Sequence, residues 1–170
     1  QDVYVERFDP QDPTRYLFNG QWEQAEVERE EIHVKGRSEP HIEEVRITRH
    51  GPVISPLAPL HTVSTTITET HHEALALRWT ALQPSTLLSS VLELNRAHNW
   101  QSFRAALAKW DVPAQNFVYA DVEGQIGYVL AGAMPIRAKG DGRLPVPGWN
   151  GEYEWIGMIP PAEMPHVLNP

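Results

Sequence analysis

Asn116-Phe117-Val118-Tyr119-Ala120 and Gln125-Ile126-Gly127-Tyr128-Val129 read as two strands facing each other across Asp121-Val122-Glu123-Gly124. An Asp that can bond its own backbone and a Gly that accepts positive φ make the tetrapeptide a β-turn rather than an acid/base pair or a cation site. The stretch before it turns helical. Ser85 can cap a helix with Leu88, Val91, Leu92 and Asn95 along one face, and Asn99 can cap a second carrying Trp100, Phe103, Leu107 and Trp110 at helical spacing. Val112-Pro113 ends that helix, because the residue before a proline is pushed out of the α region. The aromatic stripe reads as a core face, not as a stacking platform.

Upstream of the helices the pattern is β. Tyr4, Val5 and Phe8 open a strand that stops at Asp9-Pro10-Gln11-Asp12-Pro13, and Asn19-Gly20 joins Tyr16-Leu17-Phe18 to Gln21-Trp22-Glu23 as a hairpin. Glu31–Lys35 and Glu43–Thr48 alternate polar and apolar, Gly51–Ile54 turns into a short apolar strand, and Leu75, Leu77 and Trp79 share one side of another. Residues 55–70 read as a loop, and the Gly- and Pro-rich stretch 131–170 as irregular backbone laid over another surface. The pattern predicts an α+β, antiparallel β-rich segment with two central helices, forming a single domain over residues 1–170.

Composition narrows the function. The chain has 170 residues, 41% hydrophobic, with a formal net charge of −8. That length can bury roughly 70% of the surface exposed when unfolded. An acidic chain without a Lys/Arg cluster is a poor partner for nucleic acid, and no apolar run approaches the ~20 residues of a membrane span. With no Cys, thiolate nucleophiles, disulfides and Cys metal sites are excluded. Because the sequence opens inside a strand at Gln1 and lacks a polar fade at Pro170, a segment of something longer is expected.

No Gly-x-Ser-x-Gly elbow, phosphate loop or dinucleotide fingerprint is present. Gly140-x-Gly142 has no helix behind it and reads as loop. His71-His72-Glu73 near Glu69 lacks the His-Glu-x-x-His spacing and reads as a solvated loop; His33 and His41 read as surface residues on strands. The residues alone thus predict an α+β domain without a self-contained active site.

Six motifs, in order, resemble the penicillin acylase (penicillin amidase) family across essentially the whole chain. They are Asp2-Val-Tyr-Val-Glu-Arg7, Tyr16-Leu-Phe-Asn-Gly-Gln-Trp22, Thr48-Arg-His-Gly-Pro-Val53, Leu94-Asn-Arg-Ala-His-Asn-Trp100, the Asn116–Tyr128 hairpin, and Gly132-Ala-Met-Pro-Ile-Arg137 with Arg143-Leu-Pro-Val-Pro-Gly148. The resemblance implies an internal segment of the large subunit of an N-terminal nucleophile hydrolase, with a four-layer αββα fold. Such a precursor cleaves itself to expose a Ser whose own α-amino group is the general base, and it hydrolyses amides through an acyl-enzyme.

By the same resemblance the nucleophile lies upstream of Gln1 and the oxyanion Asn beyond Pro170. No residue here inherits a catalytic role, Asn169 is not the oxyanion Asn, and the chain alone is expected to be inactive. No cofactor is implied for the chemistry. A structural Ca²⁺ is, with the Asp2 carboxylate and the backbone carbonyls of Gln1 and Pro135 as this chain's ligand positions, expected to stand empty without the remaining ligands. Val91 and Gln115 fall where the family lines its acyl pocket, and the polar Gln115 leaves acyl-homoserine lactone or lipopeptide acylase open beside penicillin acylase. The implied partners are a small-molecule acyl amide, the small subunit and the rest of the large subunit, in a periplasmic or extracellular protein. Excised, the segment is expected to self-associate. A non-catalytic β-rich binding module is the alternative from a different class.

Overall fold

The computed structural model describes residues 1–55 and 72–169. It is mostly β-sheet with two helices, as the α+β reading expects, and it forms two compact units, Gln1–Trp79 with Ala138–Glu154, and Thr80–Arg137 with Trp155–Pro170. Strands are numbered in chain order.

The first unit is organised on β1 (Asp2–Arg7). Six residues of β1 pair antiparallel with β7 (Glu73–Arg78), from Asp2↔Arg78 to Arg7↔Glu73. Its other edge pairs in parallel with β11 (Val146–Pro147), which belongs to the stretch Ala138–Glu154. As the middle strand, β1 is covered on both faces: Tyr4 and Glu6 are fully buried, and Asp2 and Val5 nearly so. β2 (Arg15–Phe18) and β3 (Gln21–Gln24) form the hairpin read from Asn19-Gly20, with Asn19 at φ 48°. Beyond it β4 (Glu26–Ile32) pairs with β5 (His41–Thr48), and β5 with β6 (Gly51–Pro52). Every residue of β4 is exposed, and the strand ends at Ile32, so His33-Val34-Lys35 stays outside the sheet. Phe8, Tyr16, Ala25 and Ala74 form the apolar core here, with Phe18 and Val53 packed on it. The Tyr16 hydroxyl donates to Glu23 (2.8 Å) and accepts from the Arg49 amide; burial and that carboxylate push its phenol up to about 12.

The second unit packs α1 (Leu87–Leu94) and α2 (Trp100–Leu107) with β8 (Gln115–Ala120), β9 (Ile126–Ala131) and β13 (His166–Leu168), sheet order β13-β9-β8. The turn between β8 and β9 is as read: Asp121 N donates to Gln125 O, Gly124 N to Asp121 O, and Asp121 Oδ1 accepts from the Glu123 and Gln125 amides. Asn99 caps α2 in a reciprocal box with Ser102, worth about 1 kcal/mol. Trp100, Leu107, Tyr119, Val129 and Ala131 are the core, with Phe103, Trp110 and Phe117 edge-packed around them.

Three expectations are corrected. The covered face of α1 is Leu87, Ser90, Val91 and Leu94; Leu88 and Leu92 point outward at 74% and 52% exposure, and Asn95 is exposed too. The buried Ser90 hydroxyl donates to Ala106 O of α2 (2.8 Å), and this polar contact, which apolar periodicity cannot register, sets the rotation of the helix. Thr86 holds the N-cap position of α1 but its side chain makes no capping bond, and Ser85 Oγ accepts from the Leu87 amide two residues on. Residues 131–170 are not merely irregular: β10 (Pro135–Arg137) pairs with β12 (Trp155–Met158), β11 joins the sheet of β1 and β7, and β13 joins that of β8 and β9. These strands have two to four residues, too few for alternation to show.

Gly127 and Gly148 are among the glycines where no side chain fits. A Cβ on Gly127 would lie 2.7 Å from the Trp100 ring, and one on Gly148 would lie 2.4 Å from Glu6 Oε2. Gly127→Ala and Gly148→Ala are each expected to cost about 1–3 kcal/mol by overpacking. For a chain of this size that is a Tm drop of about 3–10 °C by calorimetry. Unchanged melting of Gly148→Ala would show Glu6 free to move aside.

Candidate functional site

Alternation along β1 puts Asp2, Tyr4 and Glu6 on one face. The turn between β5 and β6 brings Thr48 and His50 to that face, β7 brings Arg78, and the stretch after β11 brings Tyr153 and Glu154. Tyr4 lies flat on the His50 ring, centroids 3.9 Å apart and planes 6° off parallel, and its hydroxyl donates to Tyr153 O (2.7 Å). His50 is held at both ring nitrogens, Nδ1 2.6 Å from Glu6 Oε1 and Nε2 2.5 Å from Glu154 Oε1. Thr48 Oγ1 donates to Glu6 Oε1 (2.8 Å) and accepts from the His50 amide (3.1 Å), while Arg78 donates to Glu154 Oε2 (3.0 Å). Burial pushes the Glu154 carboxyl up, but hydrogen bonds and charge from His50 and Arg78 outweigh it and hold the carboxyl below its ordinary range.

Chemically this centre binds its own parts together. The side chains of His50 and Glu6 have no exposure, and both ring nitrogens face carboxylates, so no ring nitrogen is left to take a proton from a substrate. The Thr48 hydroxyl faces Glu6 and the His50 amide rather than the ring, which rules out a hydroxyl–imidazole nucleophile pair here. The sequence reading used His50 only as part of a motif. What could have singled it out is Glu6, a carboxylate inside a strand of apolar residues that needs a buried partner.

The residues singled out by sequence disperse. Asp2 is buried at the start of β1 and engaged with its neighbours, Gln1 is exposed, and Pro135 is buried at the start of β10 in the second unit. Among the described residues no group of three or more His, Asp or Glu is poised for a metal, so Asp2 is one carboxylate where Ca²⁺ takes six to eight oxygens. Val91 is half-buried on α1, and Gln115 is exposed at the start of β8, paired with Ala131. Neither lines the apolar cavity of about 660 Å³ in the second unit, whose walls include Leu107, Trp110, Val129, Met158 and Met164. Asn169 is used structurally: its Oδ1 accepts from the Ile126 amide and its own amide donates to Ile126 O. His41 is exposed beside Glu43, and His33 and His72 are exposed; His71, Glu69, the loop expected after residue 55 and Pro170 lie outside the described residues.

The penicillin amidase family model matches residues 1–170. The chain is 37% identical over 171 residues to penicillin G acylase of Escherichia coli, covering 99% of this chain and 19% of that protein. It is 33% identical over 173 residues to acyl-homoserine lactone acylase QuiP of Pseudomonas fluorescens, covering 100% of this chain and 20% of that one. The thermostable penicillin G acylase of Alcaligenes faecalis superimposes with a TM-score of 0.79 at 29% identity, over 99% of this chain and 28% of that chain. The chain thus spans about a fifth of the length of these sequence relatives. Matched from end to end in sequence and superimposable on a solved member, the chain belongs to the penicillin amidase family.

Proposed function

We propose that this chain is a non-catalytic internal part of an amidohydrolase that cleaves an acyl amide through an N-terminal Ser acyl-enzyme. The observation that carries the reading is the end-to-end family match, combined with a buried histidine whose two nitrogens are both committed to carboxylates. In this reading the nucleophile and the oxyanion Asn come from outside the chain. A free α-amine, with a pKa of about 8, is a competent base for a Ser hydroxyl near neutral pH. The chain's task is to build β1 and its neighbours as a rigid support beside that chemistry. The precursor matures by autoproteolysis and acts in the periplasm or outside the cell. Asp2 is the one carboxylate the chain would lend to a structural Ca²⁺, whose chemistry there is to hold chain segments together through oxygen ligands.

A second acyl specificity is favoured by a specific residue. Gln115 is polar and exposed where a phenylacetyl pocket prefers a large apolar group, and a 33% identical relative is an acyl-homoserine lactone acylase. On that basis the parent takes a longer, more flexible acyl chain.

Purified chain, free of host acylase, is expected to turn over neither a chromogenic phenylacetyl amide nor a long-chain acyl-homoserine lactone. Turnover of either by the chain alone would overturn the proposal. Sedimentation is expected to show self-association through exposed apolar groups such as Leu88, Leu92 and Val118; a sharp monomer at high concentration would count against it.

A further inference from the structure

The stretch Ala138–Glu154 reaches the rest of the first unit through few contacts: the β11–β1 pairing, Gly148 N to Val5 O, Asn19 N to Trp149 O, the Tyr4 hydroxyl to Tyr153 O, and Arg7 over the Trp149 ring at 3.5 Å. The Glu154–His50–Glu6 bridge lies among them and is buried. Each of its two short contacts joins a ring nitrogen to a carboxylate oxygen, so each needs a proton, and the bridge works as a tie only with two protons shared over three groups. Arg78 donates to Glu154 on the far side of the bridge, and among the described residues Glu6 Oε2 is buried without a hydrogen-bond partner. We propose that this bridge is a proton-operated latch that holds the stretch Ala138–Glu154 on β1 and releases it when a carboxyl of the bridge takes up a proton.

The groups facing the bridge are Tyr4, which stacks on the ring, and Asp2 from β1, Arg78 from β7, Thr48 from β5, Phe18 from β2, and the Tyr16, Glu23 and Arg49 cluster beside Glu6. Among these groups Asp2 and Glu23 are the carboxylates. Protonated Glu154 no longer offers Arg78 and His50 a countercharge: Arg78 is left facing a neutral oxygen, and His50 keeps Glu6 alone. Because the folded value of Glu154 is depressed, its stabilisation is present above its unfolded value of about 4.3 and is lost as pH falls through the lower folded value. Release therefore falls on the acid side of the ordinary glutamate range.

Hydrogen exchange of the full chain, corrected for intrinsic rate, tests this at single amides between pH 6 and pH 3.5. Gly148 and Asn19 are expected to lose at least tenfold protection relative to Phe117 and Val129 in the second unit. His50→Gln removes the positive ring and leaves two carboxylates facing each other, so its Gly148 amide is expected to be open at pH 6 and to regain protection on acidification. That reversal of sign is something a merely space-filling histidine would not produce. If Gly148, Asn19, Phe117 and Val129 lose protection in parallel in the wild type, the latch does not exist. A folded His50→Gln protein with the wild-type direction of pH dependence also overturns it. Neither readout depends on amidase activity, so the latch and the proposed function fail separately.

Discussion

The first unit depends on the contact of a single imidazole with two carboxylates. Glu6 is fully buried in the middle strand of a sheet, and an ionised carboxylate there costs several kcal/mol unless its partners replace water. Thr48 and His50 supply those partners from a turn, and His50 passes the constraint on to Glu154 and through it to Arg78. Strand order, the path of the stretch after β11 and the bare Cα of Gly148 all follow from closing this arrangement. A hydrophobic core alone, here Phe8, Tyr16, Ala25 and Ala74, would allow several registers. Four charged groups that must meet in one geometry allow one.

The second unit solves the same problem with apolar contacts. Trp100, Tyr119 and Phe103 meet at ring distances of 5.0 to 6.0 Å, and the sheet comes close enough to the indole only because Gly127 has no side chain. Here specificity comes from shape. An aromatic cluster of this kind adds about 0.5–1.5 kcal/mol per ring pair beyond the area it buries. A substitution such as Gly127→Ala is then read as lost packing, whereas one at Gly148 also displaces a buried charge.

Much of this was legible in the residues. Asn19-Gly20 and Asp121–Gly124 turn as their backbone preferences require, Asn99 caps, and the Trp100 stripe is core, because each signal is local. The covered face of α1 is not legible from apolar spacing, because its buried member is a serine bonded to Ala106 O of α2. The short strands after residue 131 were missed because two to four residues carry no period. The buried centre is not legible for a different reason: Glu6, His50 and Glu154 are letters far apart in sequence, brought together only by the pairing of β1 with its neighbours and by the turn between β5 and β6. Val91 and Gln115 rest on the family resemblance, and the residues that wall the cavity of the second unit are other ones.

The Tyr4–Tyr153 hydrogen bond spans 149 positions, and the His50–Glu154 contact spans 104. A ribosome delivers β1 well before Glu154, with Thr80–Arg137, the larger part of the second unit, between them. Closing loops of that length is slow relative to the local turns and helices of the second unit. During synthesis, Glu6 and His50 therefore wait for Glu154 while α1, α2 and the β8–β9 hairpin have time to form. The order in which the polypeptide emerges lets these local elements precede the closure of the first unit, and until β11 arrives the far edge of β1 is in need of protection.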